Sequence, residues 1–152
     1  MSASATLDTN ILVYAFDDRD PFKQSVCFDI VAAALAAHQP LALQAAGEFY
    51  VTVVRKGILP PKRAANEVRR FIAGFETFPP SPMAYLLAAE EAAEGRFSYW
   101  DAVLLVSAQD AGCDTVLSED MADGARLGGI AVRNPFGPRG LNEEARAFLG
   151  TM

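Results

Sequence analysis

The chain has one histidine, one tryptophan and two cysteines in 152 residues, and no apolar run approaches the roughly 18 residues that a membrane-spanning helix needs. Each scarcity excludes a class of function. The lone imidazole, His38, stands at the end of a helical stretch with no partner at zinc-ligand spacing. Cys27 and Cys113 lie far apart among apolar neighbours, which is the setting of buried thiols and not of a metal knuckle. Basic charge is also short: 13 Lys and Arg face 19 Asp and Glu, a net charge of −6. That balance argues against a protein that coats nucleic acid through unspecific phosphate contacts. The opening MSASATLD has neither the basic region nor the apolar core of a secretory leader, so the sequence predicts a soluble, cytoplasmic protein with no membrane attachment.

What is present is the composition of a packed domain, 51% hydrophobic and 21% charged. One domain is expected over residues 1–136, with a tail at 137–152 that carries a short helix and packs on it. SATL reads as a strand, followed by a helix from about Thr9 to Phe16. Asp20-Pro21 has the form of an N-cap and first helical residue, opening a helix to about His38. PLALQ, ETF, DTVLS and GIAVR read as further strands. Between and after them, helices are expected in AAGEFYVTVVRK, PPKRAANEVRRFIAGF, Met83 to Glu94, Tyr99 to Ala111 and LNEEARAFL. Short strands alternating with helices of ten or more residues predict an α/β fold, a three-layer α/β/α arrangement around a mostly parallel sheet of about five strands.

In such sheets ligands bind beyond the carboxyl ends of the strands, and four acids fall there. Asp8 follows the first strand, Glu48 is expected in the first turn of the helix after the second, Asp101 opens a helix, and Asp120 follows DTVLS. Singly each has an ordinary explanation: Asp8 and Asp101 as caps, Glu48 as a dipole partner, Asp120 as a turn residue. Together they form a cluster of mutually repelling carboxylates, which a cation relieves. Oxygen-only ligation suits Mg²⁺ or Mn²⁺.

The segments LDTNILVYAF, GEFY, YWDAVLLVSA and LSEDM, ahead of a strand ending NPF, resemble in order and spacing the PIN-domain ribonucleases, and among them the VapC-type toxins of toxin-antitoxin pairs. The resemblance implies that Asp8, Glu48, Asp101 and Asp120 are the catalytic, metal-holding quartet, with Thr9, Asn10 and Ser118 as supporting polar residues. SEDMADG also offers Glu119 and Asp123, but the family pattern places its aspartate two residues after a Ser or Thr, here Ser118. The implied activity is metal-dependent hydrolysis of RNA, and the implied partners are a small DNA-binding antitoxin and a second copy of the chain. The quartet then accounts for much of the net negative charge.

Six of the 13 basic residues fall in Arg55–Arg70: Arg55, Lys56, Lys62, Arg63, Arg69 and Arg70. They form either a solvated helix face or a surface for RNA phosphates or an acidic partner. The apolar excess of the helices Pro61 to Phe75 and Met83 to Ala93, with Phe71, Ile72 and Phe75 as candidates, fits a homodimer face. Two other readings compete. A phosphoaspartyl phosphatase or receiver-like domain would use Asp8 as nucleophile or acceptor, but Asn10 replaces the second aspartate such phosphatases carry. A catalytically silent PIN-like module that only binds a partner would not need four repelling acids.

Overall fold

The computed structural model describes residues 4–137, 140 and 141. Strand β1 (Ala5–Leu7) runs into helix α1 (Thr9–Tyr14), then α2 (Pro21–Ala36), β2 (Pro40–Ala42), α3 (Leu43–Arg55) and α4 (Pro61–Gly74). The chain continues through β3 (Glu76–Phe78), α5 (Pro82–Ala93), α6 (Tyr99–Asp110), β4 (Thr115–Leu117), β5 (Arg126–Leu127) and β6 (Ile130–Arg133). A small hairpin of β7 (Phe136–Gly137) and β8 (Gly140–Leu141) follows. The expected terminal helix in LNEEARAFL, and most of the 137–152 tail, lie outside the described residues. Among the described residues no helix is long and apolar enough to cross a membrane.

Helix boundaries follow local chemistry. Asp20 accepts the Lys23 amide at 3.1 Å while Pro21 supplies a first helical residue that needs no donor partner. Ser81 and Ser98 cap α5 and α6 in the same way. At the end of α6, Gly112 adopts φ +90°, and the Cys113 amide returns to the Ala108 carbonyl at 2.9 Å. This left-handed close needs glycine and stops the helix where the sequence suggested.

The sheet differs from the expected single layer of about five strands. The central sheet has four, in the order β1-β4-β6-β5, mostly parallel, with β5 antiparallel. β2 and β3 pair in parallel with each other as a separate ribbon. β2 lies beside β1 without a backbone ladder: Pro40 has no N–H to give, and the contact is a side-chain bond from Thr6 Oγ1 to the Pro40 carbonyl at 2.7 Å. β5 was not anticipated, since two residues folded back by the Gly128-Gly129 turn carry too little pattern to be read as a strand.

Helices flank the sheet and close an apolar core. Its densest part is aromatic: Phe49 on α3 meets Phe71 on α4 at 5.0 Å and Phe16 beyond α1 at 5.6 Å between ring centroids. Phe75 joins at 6.0 Å from Phe71. Phe71 and Phe75 are therefore core residues and not partner surface; of the three candidates only Ile72 faces solvent. Cys27 and Cys113 are both buried and unpaired.

Candidate active site

The parallel register brings the site together. Leu7 of β1 pairs with Leu117 of β4, so the residues one step beyond, Asp8 and Ser118, emerge side by side. Ser118 Oγ donates to Asp8 Oδ2 at 2.8 Å, and Asn10 Nδ2 donates to the same oxygen at 3.1 Å. Asp8 Oδ1 accepts the Thr9 amide at 2.7 Å, so Asp8 does cap α1, while its other oxygen belongs to the network. Asn10 Oδ1 accepts the Glu119 amide at 3.1 Å and thereby ties α1 to the loop after β4.

Asp8, Thr9 and Asn10 of this network open onto a cavity of about 310 Å³. Asp8, Glu48, Asp101 and Asp120 all line it, together with Thr9, Asn10, Tyr14, Asp17, Arg55 and Lys56. Asp8 is only 7% exposed. Burial pushes its carboxyl up to about 6; the charges of Asp101 and Asp120 push the same way, against the bonds from Ser118 and the Thr9 amide. Among the described residues, no three carboxylate, imidazole or thiol groups already stand close enough to enclose a cation. The acids share a cavity without forming a finished cage.

Two positions within this set depart from expectation. Glu48 is not in the first turn of its helix, because β2 ends at Ala42 and α3 begins at Leu43. Glu48 thus lies a turn deeper, too far in to act as a dipole partner. It is held by Thr9 Oγ1 at 2.9 Å and Gln44 Nε2 at 3.0 Å. Asp101 is not the cap of α6 either: Ser98 is, donating nothing and accepting the Asp101 amide at 3.4 Å. Its carboxylate is left free of hydrogen bonds among the described residues. In SEDMADG, Asp120 lines the cavity, whereas Asp123 accepts the Asn134 amide at 2.9 Å and Glu119 pairs with Lys23 at 2.7 Å.

The basic segment divides. Arg55, at the end of α3, and Lys56, which follows it, reach the cavity. Lys62 and Arg63 are exposed on the first turn of α4, while Arg69 and Arg70 turn to Asn66 and Glu67, each at 2.9 Å. Tyr14 and Asp17 also line the cavity and were not among the expected site residues. Asn10, Val13, Tyr14 and Asp17 share the i, i+3, i+4, i+7 spacing that would have placed them on one face with Asn10. Arg19 holds the Asp17 carboxyl below its ordinary range through paired 2.8 Å bonds.

No protein-family model and no curated protein sequence matches the chain. Solved structures do. VapC20 of Mycobacterium tuberculosis, described as a sarcin-ricin loop cleaving toxin, aligns at TM-score 0.54 and 14% identity over 74% of this chain and 87% of its own. VapBC2 of Rickettsia felis, bound to a DNA fragment from their promoter, gives 0.61 and 16% over 86% and 97%. DNA-bound VapBC of Salmonella typhimurium gives 0.61 and 18% over 88% and 98%. At these identities the likeness is one of fold. The fold is α/β, of the PIN type, and it is the fold seen in these VapC structures.

Proposed function

We propose that the protein is a Mg²⁺- or Mn²⁺-dependent endoribonuclease, the toxin of a type II toxin-antitoxin pair restrained by a small DNA-binding antitoxin. The observation that carries this reading is the convergence of Asp8, Glu48, Asp101 and Asp120, from four separate elements, on one cavity with a buried carboxylate at its floor. The fold shared with VapC toxins, one of them described as a sarcin-ricin loop cleaving toxin, supports it further.

The donor set suits a hard cation. It is oxygen only, and the Asp8 carboxyl is pushed toward protonation by burial and by two neighbouring acids, a cost that positive charge removes. Mg²⁺ typically takes one or two carboxylates and keeps water in its other positions, so acids spread around an open cavity suit it better than a closed cage. Asp8, Asp101, Asp120 and Glu48 would hold the ion, which when bound supplies positive charge against the phosphoryl oxygens and activates water. Asn10 and Ser118 fix Asp8 Oδ2, and Thr9 fixes Glu48, so neither carboxylate must reorganise when RNA arrives. Arg55 stands at the cavity to hold a phosphate of the substrate strand, and Lys62 and Arg63, exposed on α4, are further contacts in the same proposal.

Arg69 and Arg70 belong to the same proposal as contacts for RNA or for the antitoxin. The homodimer also stands as a proposal, on what the core leaves exposed of the same two helices: Met83 and Leu86 on α5 are 56% and 62% exposed, and Ile72 on α4 is 50% exposed. A dimer mass in light scattering at micromolar concentration is the expected result.

Incubating purified protein with a structured RNA tests the central claim. Cleavage should require Mg²⁺ or Mn²⁺ and stop with EDTA. Intact RNA in both metals, from a protein that melts cooperatively, would overturn the reading.

A further inference from the structure

Asp101 and Asp120 are the two cavity acids whose carboxylates accept no hydrogen bond among the described residues. Asp101 is nonetheless placed, because α6 fixes its backbone. Asp120 has no such support: it sits in the irregular segment between β4 and β5. Its position depends on its neighbours in the chain. On one side Met121 buries its side chain, 6% exposed. On the other stands Glu119, a further acid beside the site, which does not line the cavity.

Glu119 is gripped from two helices. Lys23 Nζ of α2 meets Glu119 Oε2 at 2.7 Å and Oε1 at 2.8 Å, and Tyr14 OH of α1 donates to Oε1 at 2.8 Å. The ammonium also lies 5.0 Å from the Tyr14 ring centre and 5.4 Å from that of Phe136. This is a seated cation and not a lysine trailing in solvent. The Glu119 amide is held at the same time by Asn10 Oδ1. Both ends of the residue that precedes Asp120 are therefore fixed, and its negative charge is neutralised beside a cavity already lined by five acids.

We propose that Lys23 and Tyr14 are positioning residues for Asp120, acting through Glu119: they anchor the segment after β4 and keep the Glu119 charge out of the cavity. The use made of Asp120 rests on the nuclease reading; the anchoring does not, and the two are tested separately. In the metal-free protein, Lys23→Met keeps the aliphatic stem and removes the cation. Amide exchange at Glu119 and Met121 should become several-fold faster. Mn²⁺ affinity, read by electron paramagnetic resonance, should fall about tenfold, in the range known for residues that orient metal ligands. Lys23→Arg should restore most of both. Glu119→Ala should match Lys23→Met, and the double variant should be no worse than either, since both break one connection. Tyr14→Phe, which removes a single hydroxyl, gives a smaller change in the same direction and serves if Lys23→Met does not fold.

Unchanged exchange in Lys23→Met overturns the proposal, as do effects of Lys23→Met and Glu119→Ala that simply add. Faster exchange with unaltered Mn²⁺ affinity overturns its claim on Asp120. A wild-type protein that binds no Mn²⁺ overturns the nuclease reading, while the exchange rates still decide whether the clamp exists.

Discussion

Asp8 is 7% exposed and has both carboxylate oxygens engaged by three donors, whereas Asp120, across the same cavity, is exposed and has none among the described residues. The inner wall is built of short, buried bonds between the ends of two strands that share a register. The outer wall, with Glu48, Asp101, Asp120, Arg55 and Lys56, is built on helices and loops, and α3 reaches α6 there through Gln44 Nε2, which donates to the Trp100 carbonyl at 3.2 Å. Hydrogen bonds to the acids are dense on the inner wall, where charge is most costly to hold, and sparse on the outer one. The two walls should therefore respond differently to the same kind of substitution.

The largest effect is expected at the inner wall. Asp8→Asn removes a negative charge from the proposed metal site, and RNA cleavage should fall at least about 100-fold, beyond the roughly 10–100-fold cost of losing a residue that only orients a ligand. The cap to the Thr9 amide survives, because Asn caps about as well as Asp. The former Oδ2 becomes a donor that faces Asn10 Nδ2, which offsets the relief of charge. Stability should therefore stay within about 1 kcal/mol of wild type. Early melting with normal cleavage per folded molecule would leave Asp8 as a helix cap and nothing more.

The next effect is a pH dependence of opposite sign to that of most carboxylates. Unfolded Asp8 ionises near 3.8 and folded Asp8 near about 6. Between those values the unfolded chain binds fewer protons, so the metal-free protein loses stability as pH rises through that window, on the order of 2–3 kcal/mol from this group. Melting in EDTA from pH 4 to 7 should show the fall in wild type and not in Asp8→Asn. Identical curves would remove the case for a strained charge at the floor.

A smaller change separates the walls by structure alone. Ser118→Ala, at a site with no exposure, takes away the donor to Asp8 and an acceptor for Asn10, and should cost about 1–2 kcal/mol in denaturant unfolding. Thr9→Val removes the exposed bond to Glu48 and should cost no more than about 0.5 kcal/mol. Equal costs would mean that the two walls are not different in kind.

Much of this arrangement was legible before any coordinates. Helices announced themselves through caps and prolines, Asp8 through its place directly after β1, and Asp120 through its place three residues beyond the end of β4. The pairing of strands was not legible, since three residues carry no register and the break between β1 and β2 depends on which strand Pro40 happens to face. Glu48 was misplaced within its helix because Leu41 to Gln44 alternates like a strand and α3 starts without a side-chain cap. The cap of α6 is legible in the Ser98-x-x-Asp101 spacing of a capping pair, which makes Ser98 and not Asp101 the residue that begins the helix. The placement of Lys23 against Glu119, 96 residues apart, has no signature in the sequence at all.

The two buried thiols have a practical consequence. Burial pushes Cys27 up to about 12 and Cys113 to about 11, so neither offers a thiolate to an alkylating reagent or an oxidant while the chain is folded. Cys27 sits on the buried face of α2 and Cys113 just ahead of β4, far apart in the sequence. Their reaction with a thiol reagent becomes a clock for opening, with one hand in each half of the chain. Equal rates would report a molecule that opens as a single unit, and unequal rates would show which half lets go first.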